Sequence, residues 1–259
     1  MDIIYKIYWS DEIPDGAVDD FLAIENRVLY HGGFTKELFE RKFRDNIYGP
    51  SLLILAYVDS RPVGVHVAWR NDIGGQRAYQ GTDACLLPVK GAIIFPKMLM
   101  LVKEKVGDEC PIYGFPNSKA FPVHRMMRHK VLAEYRSVWC FSLRQYAREE
   151  PLKIPASYAR WWLAKTGTPL MSLRLLSHLY VVRIVKKKWG LTVLDIVGEL
   201  EDDSINGAGI FPRYNNGLFL LSYKSRIPRW YNKNRFTEFR LMNYGAPVSH
   251  IPTWTVDAL

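Results

Sequence analysis

The sequence predicts an α+β fold, a mixed and mostly antiparallel sheet flanked by helices, with an α/β extension at its carboxy-terminal end. Two observations lead there. Over residues 1–144, short segments with period-2 or continuous hydrophobicity alternate with segments of helical period, in the order β, α, α, β, β, β, α, β, α, β. At the centre, the apolar run Ser51 to Val58, the tight connection Asp59-Ser60-Arg61-Pro62 and the alternating stretch Val63 to Arg70 make an antiparallel hairpin.

The remaining elements follow in order. Asp2 to Trp9 alternates and is rich in Ile and Tyr, Asp11 to Gly16 turns, and Ala17 to Leu29 has apolar residues at helical spacing. After His31-Gly32-Gly33, Thr35 is an N-cap for a short helix reaching about Arg44. The turn Asn71 to Gly75 leads into a third central strand, Ala78 to Leu87, stopped by Pro88. Ile94, Met98, Leu101 and Val102 then trace one face of an amphipathic helix from Gly91 to about Lys105. Pro111 to Phe115 reads as a short buried strand, Ser118 to Arg128 as a helix and Tyr135 to Leu143 as a strand.

Arg144 to Lys153 is charged and ends in Pro151 and Pro155, the composition of a linker, so residues 1–146 are expected as one domain and 147–259 as an extension. In the extension, Tyr158 to Ala164 and Met171 to Val185 read as helices, and Leu191 to Gly198 as a strand. Glu201 to Gly209 reads as an acidic turn, and short strands are expected at Leu218 to Leu221 and Glu238 to Met242. Arg174, His178 and Arg183 interrupt the Met171 to Lys188 stretch, so it does not suit a bilayer span. Its lysine-rich end suits either a core helix or peripheral contact with an anionic membrane surface. Phe39-x-x-x-Phe43-Arg44 and Phe219-x-x-x-Tyr223-Lys224 are alike, which raises the reading of a degenerate second half.

Composition narrows the function. The net charge of +9 favours anionic partners, yet no ladder of basic and aromatic residues marks one face, and specific nucleic-acid binding is not expected. Cys85, Cys110 and Cys140 are odd in number, far apart and set in apolar stretches, which suits reduced buried thiols and a cytoplasmic setting rather than disulfides or a metal site. The amino terminus has no signal-peptide pattern. Nucleotide-triphosphate and serine-hydrolase motifs are missing, and no Cys/His spacing suggests a metal.

Four segments carry a resemblance: Phe39 to Pro50, the Ser51 to Arg70 hairpin, Thr82 to Phe95, and Ile112-Tyr-Gly-Phe-Pro-Asn117. Together they resemble a branch of the GNAT (GCN5-related N-acetyltransferase) superfamily that is often linked to bacterial cell-surface polysaccharide genes. The family implies acetyl-coenzyme A as acyl donor and a small-molecule primary amine as acceptor. Its diphosphate-binding loop, Arg/Gln-x-x-Gly-x-Gly/Ala after a strand ending in Pro, corresponds here to Leu87-Pro88-Val89-Lys90-Gly91-Ala92-Ile93-Ile94. Free amides and the positive end of the following helix attract an anion, and glycines let it approach. Lys90 stands where Arg is usual, Gly91 is kept, and Ile93 replaces a second Gly; a β-branched side chain there crowds the approach. The resemblance thus assigns cofactor contacts to Leu86, Leu87, Lys90, Gly91 and Ala92, continuing to Ile93, Ile94 and Asn117.

For catalysis, alignment on the family pattern puts His124 at the position of the proton donor to the departing thiolate. Asp83, in the strand beside the expected thioester position, is the first choice to bind or deprotonate the amine, ahead of Glu25 and Tyr30. An amino sugar of a surface glycan is the leading acceptor. A peptidoglycan-bridge type aminoacyl transferase and a non-catalytic binding protein on the same scaffold are the rival readings.

Overall fold

A computed structural model of the chain describes residues 2–73, 76–89, 93–140, 153–154, 170–175, 178–186, 192–200, 220–226 and 239–246. Its strands are β1 (Ile3–Trp9), β2 (Leu52–Val58), β3 (Arg61–Arg70), β4 (Tyr79–Leu86), β5 (Ile112–Gly114), β6 (Lys130–Cys140), β7 (Lys153–Ile154), β8 (Leu170–Leu175), β9 (His178–Lys186), β10 (Thr192–Leu200), β11 (Leu220–Arg226) and β12 (Phe239–Asn243). The helices are α1 (Asp15–Glu25), α2 (Lys36–Phe39), α3 (Phe95–Val106) and α4 (Phe121–Met126). Two compact units are separable: Met1–Ala133 with Phe239–Ile251, and Glu134–Glu238 with Pro252–Leu259.

The sheet of the first unit runs β1-β2-β3-β4-β5-β12. Strands β1 to β4 are antiparallel, β4 and β5 are parallel, and β5 and β12 are antiparallel. All seven residues of β2 are buried, as its continuous apolar run requires when both faces are covered. On one face Leu52, Ile54, Ala56 and Val58 join Phe95, Met98, Leu99 and Val102 of α3. Tyr57, of opposite parity, points to α1, where its hydroxyl donates to Asp20 Oδ2 at 2.8 Å. On that side Phe21 of α1 makes edge-to-face contacts with Phe34, Phe39 and Phe43, each buried ring contributing roughly 1.5–3 kcal/mol. Thr35 caps α2 as expected, accepting from Leu38 N at 3.2 Å.

The second unit has the sheet order β6-β11-β10-β9-β8, with β7 beside β10. Its strand relations repeat those of the first: β8 to β10 antiparallel, β10 and β11 parallel, β11 and β6 antiparallel. Here the structure corrects two expectations. Met171 to Val185, expected as a helix, is the hairpin β8–β9, with Met171 opposite Val182 and Ser172 opposite Val181. Four of the five residues in its Val181-Val182-Arg183-Ile184-Val185 run are β-branched, and cross-strand pairing decided between the two periods that its leucines satisfy. The surface-lying helix suggested for this stretch is therefore not formed, and among the described residues no helix is long and apolar enough to cross a membrane. Lys153, expected in a linker, is in β7. The similarity between Phe39 to Arg44 and Phe219 to Lys224 falls on a helical segment in the first case and on Tyr223–Lys224 of a strand in the second, so it does not join equivalent elements. Tyr158 to Ala164 and Glu201 to Gly209 lie outside the described residues.

Candidate active site

Three irregularities of the backbone converge on one point of the first unit. The first is in β4. Its register against β3 shifts between Val65 opposite Cys85 and Val67 opposite Thr82, so β4 carries an extra residue opposite His66. Asp83 sits in this bulge at φ 45°, a left-handed conformation that Asp tolerates better than most residues. The bulge reverses the facing of the strand. A Cβ on Gly81 would meet Tyr244 Oη and His66, on the α3 side, whereas Cys85 faces Glu25 of α1.

The other two irregularities are π-turns. α1 widens into one at Asn26–Tyr30, immediately after Glu25, and α2 widens into one at Glu40–Arg44, which carries Lys42. Asn26 holds the first by bonding the backbone of Phe34 through both ends of its side-chain amide, at 2.8 and 2.7 Å. His31 at φ 48° and Gly32 at φ 96° then end it.

These elements deliver Lys42 Nζ to 2.6 Å from Asp83 Oδ2, with the side chains 6% and 3% exposed. Tyr30 Oη reaches Asp83 Oδ1 at 3.5 Å. Lys42 also lies over the rings of Phe43 and Phe34, at 5.1 and 5.7 Å. Glu25 is fully buried, and neither carboxylate oxygen has a hydrogen bond of good geometry among the described residues. Burial first and the Asp83 charge second push its carboxyl up to about 8, while Lys42 and the Cys85 thiol oppose them. At neutral pH Glu25 is mostly the neutral acid. Burial also pushes the Cys85 thiol up, so it is no nucleophile.

On the α3 side, His124 is buried rather than solvent-facing, with Nδ1 3.0 Å from Nδ1 of His129. Burial, with the neighbouring histidines, pushes His124 down to about 3; burial pushes His129 down to about 4 and His66 down to about 4. All three imidazoles are neutral at physiological pH, which removes the imidazolium that an acid role for His124 would use. Arg128 takes φ 60° at the end of α4, the conformation a glycine would adopt more easily. The ring of Tyr244 stacks on His129 at 4.7 Å. Its hydroxyl is buried without a hydrogen-bond partner among the described residues, and burial pushes its ionisation up, so its proton is held firmly.

Beside the bulge the sheet opens. β4 pairs with β5 at Tyr79–Ile112, Gln80–Tyr113 and Gly81–Gly114 and no further, although β4 continues to Leu86. Gly114 is pressed to the fork, where an added Cβ would lie 3.2 Å from Gly81 O. Beyond the fork the β5-facing edge of Thr82 to Leu86 meets no strand among the described residues.

The expected cofactor residues separate into three groups. Lys90, Gly91 and Ala92 lie outside the described residues. Leu86 is exposed, Leu87 donates its N–H to Val63 O at 2.8 Å, and Ile93 is 74% exposed, so its side chain points to solvent. Ile94 is buried near Gly64, and α3 begins at Phe95 instead of Gly91, with Pro96 in its first turn. That turn leaves the N–H groups of Phe95 and Lys97 without intrahelical acceptors. Asn117 uses its side-chain oxygen to accept from Lys119 N and Ala120 N, a capping role at the entry to α4. Sequence reasoning missed Lys42 and Tyr244. A lone lysine between Phe39 and Phe43 on an otherwise apolar face was the available signal for the first; Tyr244 is too distant in the chain to have had one. Among the described residues no group of three or more acids, histidines or cysteines is placed to hold a metal.

No protein-family model and no curated protein sequence matches this chain. Solved structures do. A conserved protein of unknown function from Enterococcus faecalis V583, described as a probable N-acyltransferase, superimposes with a TM-score of 0.53 over 93% of this chain and 71% of its own, at 10% identity. A tandem GNAT protein from the clavulanic acid biosynthesis pathway gives a TM-score of 0.51 over 96% of this chain and 100% of its own, also at 10% identity. At such identities the likeness is one of architecture: this chain has a GNAT-like α+β fold.

Proposed function

We propose that the chain transfers an acetyl or other short acyl group from acyl-coenzyme A to a primary amine. The observation that carries this reading is the open β4 edge, flanked on one side by a buried, mostly protonated carboxyl and on the other by a buried phenol. An extended arm bearing two secondary amides, as in pantetheine, can add to the edge of Thr82 to Leu86 as a strand would. The free N–H groups at the start of α3, together with Lys90 and Gly91 of the preceding loop, suit the diphosphate. The exposed setting of Ile93 supports this, since a buried Ile93 would crowd that approach.

The donor supplies a thioester; a C–N bond forms as the C–S bond breaks, the amine loses a proton and the sulfur gains one. Asp83, paired with Lys42, orients the incoming ammonium. The ionised fraction of Glu25, which grows as pH approaches 8, takes the ammonium proton and frees the amine for attack; the second proton, lost from nitrogen as the amide forms, goes to solvent. Tyr244, against Gly81 at the fork, is the group still protonated there and replaces His124 as the donor to sulfur. The acceptor we put first is an amino sugar of a surface-glycan precursor, which rests on the sequence resemblance alone.

Thermal shift with acetyl-coenzyme A tests the reading, followed by thiol release in the presence of a panel of amines that includes hexosamines. At a hundredfold excess over Kd, binding stabilises by about 2.7 kcal/mol, a rise of roughly 5–10 °C for units of this size. An unmoved melting temperature at millimolar cofactor would turn the assignment to a non-catalytic scaffold.

A further inference from the structure

The two units can be compared rung by rung. The parallel ladder of β10 with β11 stops at Asp195–Ser222, as that of β4 with β5 stops at Gly81–Gly114. A bulge follows in each case, between Ile196 and Gly198 in β10 and between Thr82 and Cys85 in β4. Past the fork they differ. Glu199 and Leu200 of β10 pair with Lys153 and Ile154 of β7, parallel. Glu199 is at the same time opposite Tyr180 of β9, which occupies the other edge of β10. β7 therefore lies on the β11 side, in the position that is open in the first unit.

Backbone donors and acceptors on one edge serve one partner at a time, so an amide-bearing arm cannot pair where β7 already does. The acids nearby are also engaged: Glu199 Oε1 is 2.7 Å from His178 Nδ1, and Asp195 Oδ2 accepts from Arg183 Nη2 at 2.8 Å. A second observation comes from sequence. The sequence after β4 reads Leu87-Pro88-Val89-Lys90-Gly91, whereas the sequence after β10 reads Glu201-Asp202-Asp203, and three consecutive carboxylates repel a diphosphate.

We propose that the second unit takes no acyl-coenzyme A because a strand of its own chain fills its fork, so that the protein binds one cofactor per chain, in the first unit. The choice of ligand rests on the function proposed above; the closure of the fork does not. Segment-resolved hydrogen exchange on the full chain, free and with saturating coenzyme A, together with calorimetric counting of sites, tests both parts. The expected result is one site per chain. Residues 82–86 exchange fast when free and at least tenfold more slowly with ligand, while residues 196–200 are slow from the start and unchanged. Two sites per chain, or ligand-induced slowing in residues 196–200, would overturn the proposal. If no coenzyme A binds, the function proposed above falls, and the closure is judged by the free protein: slow exchange in residues 196–200 supports it and fast exchange overturns it.

Discussion

Replacing Lys42 by Met keeps most of the hydrophobic stem over Phe34 and Phe43 but removes the cation facing Asp83. At 2.6 Å the pair attracts by about 6 kcal/mol at an effective dielectric constant near 20, and desolvation of two almost fully buried charges offsets much of that. Removing one partner leaves the other charge buried without compensation, so Lys42→Met should lose about 3–5 kcal/mol, a fall of roughly 1–3 M in the urea midpoint of the first unit. Asp83→Asn should lose a similar amount while preserving the left-handed backbone at this bulge, since Asn tolerates it as Asp does. The double variant has no unpaired charge and should recover most of the loss. The readout is urea dependence of amide exchange in β3, which packs under α1. Losses below about 1 kcal/mol in both single variants, or a double variant no better than either, would show that the pair is solvated, and the description of this site would be wrong.

Three further outcomes follow. The carboxyl of Glu25 binds its proton more tightly in the folded state than in the unfolded chain, so its contribution to stability is full below the ordinary carboxylate range and is lost as pH rises through about 8; Glu25→Gln should flatten that part of the stability profile, and a variant that still tracks wild type from pH 5 to 8 would count against the assignment. His124 and His129, held at about 3 and 4, should stay neutral in nitrogen-detected NMR down to pH 5, and a midpoint near 6.5 for either would contradict their burial. Gly81→Ala puts a Cβ 2.6 Å from Tyr244 Oη and should lose about 1–3 kcal/mol in thermal or urea unfolding, whereas adding Tyr244→Phe removes the colliding oxygen and should restore part of it; equal stability of the single and double variants would mean that the ring has simply moved away.

Much of the first unit was legible because its signals are local. The seven residues of β2 are apolar without interruption, Thr35 is a cap whose hydroxyl accepts from Leu38 N, and Pro88 stops β4 where expected. The site was only partly legible. Asp83 could be picked out as the one charged residue of its strand, but its partner Lys42 is 41 residues away and reaches it through a π-turn that no simple periodicity announces. The burial of His124 was not legible for a related reason: helical position says little about burial when Tyr244, from the far end of the chain, packs against α4. In the second unit, Leu-rich segments satisfied both helix and strand periods, and only cross-strand partners separate the two.

The order in which the pieces of the first unit leave the ribosome has a consequence of its own. β5 finds its outer neighbour in β12, at Tyr113–Asn243 and Gly114–Met242, and Tyr244 N extends the pairing to Ile112 O. A nascent chain that has emerged only as far as Gly114 has therefore made just one side of that strand's hydrogen bonds, and must keep a raw edge from sticking elsewhere until well over a hundred further residues are synthesised. Truncation near residue 146 would strip out the phenol at the fork along with that neighbour, so the amino-terminal half is not expected to survive by itself, and its maturation waits on the synthesis of β12 and Tyr244.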